Sequence, residues 1–175
     1  IYNHAELMER HSKGLDEQAS GVYHHTSPWA PETVPAPLQQ DLDKAEDLLA
    51  EAGWSDTDGD GILDADVFLD AEFDGVMDRV KREPFEFTLI CSNRPDRVQM
   101  CELMRENLDQ VGIVCNVSPV EFTTFQAKSR EHQFHAQFGG WGTGADPDTS
   151  ENLWTTKAID AGRNYCAYSN PEVDK

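Results

Sequence analysis

Residues 85–117 read FEFTLICSNRPDRVQMCELMRENLDQVGIVCNV, and this stretch decides the fold. Apolar and polar side chains alternate at its start and again at its end, which is the period of a half-buried strand. Between the two, apolar residues recur at helical spacing from Pro95 until Gly112, a residue type that favours a helix end. The members of this helical stripe are Val98, Cys101, Met104, Leu108 and Val111. The stretch therefore predicts a strand, a helix and a second strand.

The chain repeats this arrangement directly afterwards. The spacing predicts a shorter helix over about Phe122–Arg130 and a third strand over residues 134–138. Parallel strands need a crossover connection such as a helix, so the order β-α-β-α-β predicts a parallel sheet and an α/β fold. Ligands of such sheets bind beyond the carboxyl ends of the strands.

Two loops occupy that edge of the predicted sheet. Ser92-Asn93-Arg94 follows the first strand, and residues 139–148, GGWGTGADPD, follow the third. Glycine lets a ligand approach the main chain closely, and a tryptophan between glycines is poorly placed for a core. One interpretation is a surface turn whose indole folds back onto the domain. The position at the edge favours the other interpretation, in which Trp141 contacts a ligand or partner.

An earlier helix precedes an acidic insertion. Asp43, with Glu46 three residues later, is typical of a capping box at a helix start, and Gly53 predicts the helix end. The insertion covers about residues 55–83 and lacks the regular pattern of the residues that follow it.

Within the insertion, residues 56–64 read DTDGDGILD, which resembles the calcium loops of EF-hands and thrombospondin repeats. Alternate side chains and one backbone carbonyl can converge on a hard cation there. An EF-hand has glutamate at the twelfth position, where this chain has Val67. The alternative is a solvated acidic turn; if Ca²⁺ binds, we expect a structural role. The candidate ligands are Asp56, Asp58, Asp60, Ile62 and Asp64.

Composition excludes several classes of partner. The 175 residues suffice for one domain with a sizeable core, and 33 acidic against 14 basic residues give a net charge of -19. Such a charge repels nucleic acids and anionic membranes, and no apolar run approaches the roughly 20 residues that span a bilayer. The chain begins with Ile1 and ends soon after Asn170-Pro171, which resembles a helix start, so we expect a piece of a longer protein.

Cysteine and histidine spacings do not indicate a metal or redox site. The four cysteines lack paired spacing, and we expect free, buried thiols that act as small core residues. We expect surface or packing roles for the pair His24-His25 and for His132 and His135. Sequence patterns of nucleophilic or metal-dependent catalysis do not occur, so we expect no enzyme and no required cofactor. The cysteines are Cys91, Cys101, Cys115 and Cys166.

The order of these blocks resembles the large extracytoplasmic solute-binding proteins of ABC importers, the dipeptide, oligopeptide and nickel-binding family. The resemblance covers residues from about 38 to 175. The matching motifs are KAEDLLAEAGW at 44–54, DGDGI at 58–62, FTL at 87–89, SN at 92–93 with Arg97, NL at 107–108, VGI at 111–113, GWG at 140–142, DPD at 146–148, NY at 164–165 and YSNPEVD at 168–174.

The resemblance implies a lobe like those of type II periplasmic binding proteins. Residues 1–37 are then an irregular linking segment, and residues 38–175 are the C-terminal α/β lobe of a two-lobed protein, truncated at its end. By position in the family, the cleft is lined by Trp141, Gly142 and Thr143. Asn93 and Arg94 join them as candidates on the first loop, with the Arg94 guanidinium suited to a ligand carboxylate.

Peptide-binding members often place an aspartate three residues after this tryptophan, to hold the amino terminus of the peptide. This chain has Gly144 at that position, so the resemblance alone does not identify the solute as a peptide. The leading interpretation is a bacterial-type extracytoplasmic receptor, periplasmic or lipid-anchored, that binds a small solute such as a peptide. It is expected to act as a monomer and to deliver the solute to a membrane permease. The alternative is a calcium-binding structural or adhesion module.

Overall fold

The computed structural model describes residues 1–19, 21–33, 35–69, 78–142 and 151–175. The helices in these ranges are α1 (His4–Leu7), continued by a π-helical turn at Met8–Ser12, α2 (Leu42–Glu51), α3 (Pro95–Asp109), α4 (Phe122–Arg130), α5 (Glu151–Trp154) and α6 (Ala158–Ala161). The strands are β1 (Asp64–Leu69), β2 (Asp78–Pro84), β3 (Glu86–Ser92), β4 (Val114–Val120) and β5 (Ala136–Phe138). No helix in the described ranges has the length and apolar character needed to cross a membrane.

The strands β4, β3 and β5 form a parallel sheet in that order, which confirms the predicted β-α-β-α-β unit. Strand β3 is central and pairs with both neighbours. Its register sets Ser92 opposite Val120 of β4, and Cys91 opposite Phe138 of β5. The three carboxyl ends therefore lie side by side. Strand β5 is shorter than predicted, because the ladder to β3 begins only at Ala136.

The main core lies between this sheet and α3. Cys91 and Cys101 are completely buried, and Leu89 and Cys115 are almost so. Burial raises the pKa of the Cys101 thiol well above its usual range, so the sulfur stays protonated and acts as a small apolar group. These thiols are free, as predicted. The prediction was wrong for Cys166, which is exposed.

The first long helix, α2, begins slightly earlier than predicted. Its N-cap is Asp41, whose carboxylate accepts a hydrogen bond from the Lys44 N–H at 3.0 Å. Asp43 is therefore not the cap: it lies in the first turn, where a negative charge favours the helix dipole. Gly53 follows the helix with a φ of 91°, as its predicted role as a stop requires.

The acidic insertion contains an antiparallel hairpin of β1 and β2 that the sequence pattern did not predict. Arg82 is paired in register with Asp66 and forms ion pairs with both Asp64 and Asp66. The hairpin joins the rest of the domain through its flanking residues, since Leu63 N–H donates to the Gly112 carbonyl at 2.8 Å. Gly112 thus connects the insertion to the turn between α3 and β4.

Replacing Gly112 with alanine is expected to destabilise the domain. Its φ of 74° is in the left-handed region, and an added Cβ would lie 2.9 Å from the Gly61 carbonyl oxygen and 3.2 Å from the Leu63 nitrogen. Gly53→Ala is the matched control, because Gly53 also has a positive φ but no neighbour within 4 Å of an added Cβ. Backbone strain alone costs about 1–2 kcal/mol.

We expect Gly112→Ala to lower the free energy of unfolding, measured with urea, by about 1 kcal/mol or more beyond Gly53→Ala, because of overpacking. Equal losses for the two variants would contradict the close approach at Gly112.

Candidate functional site

The carboxyl ends of β3, β4 and β5 form the edge at which the sequence predicts ligand binding. Asn93, the residue after β3, is held to the end of β4 by two hydrogen bonds. Its N–H donates to the Val120 carbonyl at 2.9 Å, and its side-chain amide donates to the Glu121 carboxylate at 2.6 Å. Asn93 therefore fixes the first loop against the start of α4, and its side chain is already engaged.

Trp141 stands beyond the end of β5 and borders a hollow of about 320 Å³. Its indole contacts a later part of the chain: the Tyr165 ring centroid lies 5.6 Å away, and the Arg163 guanidinium lies 5.4 Å from the indole centroid. Trp141 still has 46% of its surface exposed. The side chain is thus held in place by its neighbours while one face stays open to the hollow. The lining residues are Phe122, Phe125, Gln126, Ser129, Arg130, Gln137, Gly139, Gly140, Trp141, Arg163, Tyr165 and Cys166.

The glycines before Trp141 form an open wall of the hollow. A Cβ at Gly139 would lie 3.3 Å from the Phe125 ring, so the main chain approaches that aromatic side chain closely. Gly140 and Gly142 have no neighbour within 4 Å of an added Cβ, and their backbone is accessible. Thr143, together with Gly144, lies outside the described residues.

The inner end of the hollow is fixed by Ser129, whose side chain is completely buried. The Ser129 hydroxyl lies 2.8 Å from the Phe125 carbonyl oxygen and 2.5 Å from Oε1 of Gln137. This contact joins α4 to β5 and orients the Gln137 side chain at the hollow.

The hollow has a positive charge in a strongly acidic protein. Arg130 and Arg163 both line it, and no aspartate or glutamate is among the described residues of its lining. Within the described part of the chain, neither guanidinium forms an ion pair. Sequence reasoning missed both residues, because nothing in the local pattern relates Arg163 to the tryptophan loop. A cation next to an aromatic face with free donors is suited to a carboxylate or to carbonyl oxygens.

Arg94, the predicted carboxylate partner, has a different environment. Its guanidinium makes two hydrogen bonds to the Asp96 carboxylate, at 2.9 and 3.1 Å, and it does not line the hollow. Of the predicted binding residues within the described ranges, Trp141 lines the hollow and Gly142 adjoins it. Asn93 and Arg94 lie on the neighbouring loop and make contacts within the protein.

The predicted calcium ligands are only partly brought together. Carboxylate oxygens of Asp56, Asp58 and Asp60 lie within 4.8 Å of one another. Hydrogen bonds from the N–H groups of Gly59 and Gly61, at 2.7 and 2.9 Å, lower the pKa of Asp56. The Asp56 carboxylate therefore already accepts hydrogen bonds from main-chain N–H groups of its own turn.

The last position of the predicted calcium set, Asp64, has other partners. Asp64 faces Arg82 and Thr57 in the hairpin, and its carboxylate accepts the Thr57 hydroxyl at 3.1 Å. The Ile62 N–H donates to the Asp60 carboxylate at 2.8 Å, a bond that does not engage the backbone carbonyl through which Ile62 would bind a cation. The arrangement therefore resembles the alternative that the sequence left open, a solvated acidic turn, and Asp64 does not join the other three carboxylates.

A larger hollow of about 890 Å³ lies elsewhere, bordered by Val22, Trp154, Tyr168 and Val173. None of the residues at the carboxyl ends of β3, β4 and β5 lines it. The smaller hollow at Trp141 is the better candidate, because it lies where parallel α/β sheets bind ligands and combines aromatic and cationic groups.

Comparison with known proteins identifies the family. Residues 1–162 match the family model described as "Bacterial extracellular solute-binding proteins, family 5 Middle". The chain belongs to this family. It is similar to the oligopeptide-binding protein AppA of Bacillus subtilis (strain 168), with 31% identity over 172 residues that cover 94% of this chain and 28% of AppA.

Solved structures of family 5 proteins agree with the fold. AppA from Bacillus subtilis in complex with a nonapeptide matches with a TM-score of 0.79 and 28% identity, over 97% of this chain and 31% of AppA. The oligopeptide-binding protein from Thermus thermophilus, complexed with a pentapeptide, matches with a TM-score of 0.75 and 22% identity, over 98% of this chain and 29% of that protein.

These matches confirm the predicted fold class, an α/β lobe of the type II periplasmic binding proteins. The chain spans 28% of the curated relative and 31% of its solved structure, so it corresponds to less than a third of such a protein.

Removing the buried Ser129 hydroxyl, which lines the hollow at Trp141, is expected to destabilise the lobe. Ser129→Ala removes the buried hydroxyl and its contacts to the Phe125 carbonyl and to Gln137, and the loss of such a hydrogen bond costs about 1 kcal/mol. Thr124→Ala, an exposed change on the same helix, is the control and is expected to stay within about 0.5 kcal/mol. Urea denaturation measures both free energies of unfolding. Equal stability of the two variants would contradict the role assigned to Ser129.

Proposed function

We propose that this chain is one wall of the ligand cleft in a two-lobed receptor of an ABC import system. In this proposal the receptor binds a small solute, a peptide, between its lobes and delivers it to a membrane permease. The chain supplies the C-terminal lobe, residues 38–175, with residues 1–37 as a linking segment. The opposite wall belongs to the remainder of the receptor, since the chain corresponds to less than a third of its relatives.

The observation that carries the proposal is the open aromatic face of Trp141 beside two arginines without acidic partners in the described ranges. A lobe that functioned alone would gain stability by covering this face. A lobe that closes on a ligand needs the face exposed in the open state, and closure then excludes water from it. The accessible main chain at Gly140 and Gly142 adds groups that a ligand can approach directly.

A peptide suits the chemistry of the hollow. The guanidinium groups of Arg130 and Arg163 can bind a terminal carboxylate or backbone carbonyl oxygens, and the amides of Gln126 and Gln137 can pair with peptide groups. The aromatic rings of Trp141 and its neighbours offer apolar contact that tolerates different side chains. The 28% identity to AppA, solved with a nonapeptide, supports the same class of ligand.

The remaining features of the proposal follow from the family and from the charge. Family 5 proteins are extracellular solute-binding proteins by description, so an extracytoplasmic location is proposed, either periplasmic or lipid-anchored. Binding and release require no covalent chemistry from the receptor, and no cofactor is needed. The net charge of -19 argues against nucleic acid as a partner. We propose that the receptor acts as a monomer.

Arg163→Gln in the full receptor is expected to weaken peptide binding. Hydrogen bonds to charged groups contribute about 1.5–3 kcal/mol, which corresponds to a loss of about 10- to 100-fold in affinity. Isothermal titration with a peptide library member that binds the unmodified receptor measures the change. Arg94→Gln is the matched control, because Arg94 is an exposed arginine already paired with Asp96, and its affinity is expected to stay the same.

The opposite pattern, with Arg94→Gln weakening binding and Arg163→Gln leaving it unchanged, would move the site to the first loop. No peptide binding at all, together with a strong rise of the melting temperature on adding Ca²⁺, would favour the structural calcium module over the receptor.

A further inference from the structure

The irregular segment before α2 brings three metal-binding side chains together. Glu17, His24 and His25 each offer one ligand atom, and these atoms lie within 4.8 Å of one another. From the sequence, the two histidines had surface or packing roles, because no third ligand was evident near them. The structure supplies Glu17 as that third group, seven residues before His24 in the chain.

The distances match those between ligands of a single ion. Nε2 of His24 and Nδ1 of His25 lie 3.5 and 3.6 Å from the same oxygen, Oε2 of Glu17. In a tetrahedral zinc site with bonds of about 2.0–2.1 Å, neighbouring ligand atoms stand about 3.4 Å apart. The two imidazole rings are neighbours, with centroids 4.1 Å apart and planes tilted by 36°. The two carboxylate–imidazole distances are therefore already close to the spacing that an ion imposes, and all three ligand atoms lie within 4.8 Å of one another.

A fourth residue orients the His24 ring. Nδ1 of His24 lies 2.7 Å from the Thr26 hydroxyl oxygen and 3.3 Å from the Thr26 main-chain nitrogen. In the tautomer that donates the Nδ1 proton to the hydroxyl, the lone pair of Nε2, the nitrogen nearer to Glu17, is available to an ion. Histidine ligands of metals commonly have their second nitrogen held in this way by a polar partner. The local turn is fixed as well, since the Ser27 N–H donates to the His24 carbonyl at 2.8 Å.

The donor set selects the class of ion. Two imidazoles and one carboxylate suit first-row transition ions such as Zn²⁺, whereas Ca²⁺ and Mg²⁺ prefer oxygen ligands. The protein's charge of -19 attracts cations toward its surface. The side chains are accessible, with 72% of Glu17, 58% of His24 and 64% of His25 exposed, so an ion can enter and a water can complete the coordination.

The geometry points to a surface site for a divalent transition ion at Glu17, His24 and His25, separate from the hollow at Trp141. The ion links residue 17 to the turn at residues 24–26 and so orders a segment that has few buried contacts. This site is independent of the proposed solute-binding function, because none of its ligands lines the hollow at Trp141.

Titration of the untagged chain with Zn²⁺ in a calorimeter tests the site, and one ion per chain is expected. His24→Ala, His25→Ala and Glu17→Gln each remove a ligand, and each is expected to lower Zn²⁺ affinity by about tenfold or more, since loss of even an outer partner costs about 10- to 100-fold. Thr26→Ala removes a partner of His24 that is not itself a ligand, and it is expected to lower Zn²⁺ affinity by about 10- to 100-fold. All these side chains are exposed, and far-ultraviolet circular dichroism checks that the fold is kept.

Two controls separate this site from other groups. His11→Ala removes another histidine outside the cluster, and Asp58→Asn changes the acidic turn, which also groups three carboxylates; both are expected to leave Zn²⁺ affinity unchanged. Absence of Zn²⁺ binding by the unmodified chain, or binding that survives the loss of His24 and His25 but not the Asp58 change, would overturn the assignment.

Discussion

The parallel pairing of β3 with β4 on one side and β5 on the other is the constraint on which the site depends. This pairing buries Cys91 completely and brings the ends of three strands to one edge. The sheet positions the loops that follow its strands. Asn93, after β3, donates a hydrogen bond to Glu121, and the glycine-flanked Trp141, after β5, follows a main chain that lies close to α4. A register shift of one residue would turn the core face outward, so the site and the core are specified together.

Sequence periodicity predicted the elements that bury one face. From Phe85 to Val117 the apolar residues recur with the period of a strand, then of a helix, then of a strand. The structure has these three elements as predicted, because the apolar positions of each are also the ones that the fold buries. The β1–β2 hairpin was missed because β2, which reads DRVKREP, has no apolar alternation. Its Arg82 instead forms cross-strand ion pairs with Asp64 and Asp66. The start of α2 was placed at Asp43 instead of Asp41 because either aspartate can serve as a cap.

The candidate site was predictable only in part for a related reason. A glycine-flanked tryptophan after a strand is visible in the sequence, and Trp141 does border the hollow. Arg163 contacts the same indole although it follows α5 and α6 in the chain, and no local pattern encodes that contact. The sequence analysis instead predicted Arg94, the arginine nearer to the strand, as the partner of a ligand carboxylate. The Arg94 guanidinium is already paired with the Asp96 carboxylate. In a chain of charge -19, cations without an acidic partner in the described ranges distinguish a site more clearly than residue type alone.

Hydrogen–deuterium exchange of the full receptor, with and without a bound peptide, tests most directly whether this sheet edge is a wall of the ligand cleft. Residues 139–142 and 163–166 are predicted to exchange more slowly when the peptide is bound, because closure covers the hollow at Trp141. The acidic turn at residues 56–64 is predicted to exchange at the same rate in both states. Slower exchange confined to residues 56–64, or to the hollow beside Trp154, with no change at residues 139–142, would contradict the account.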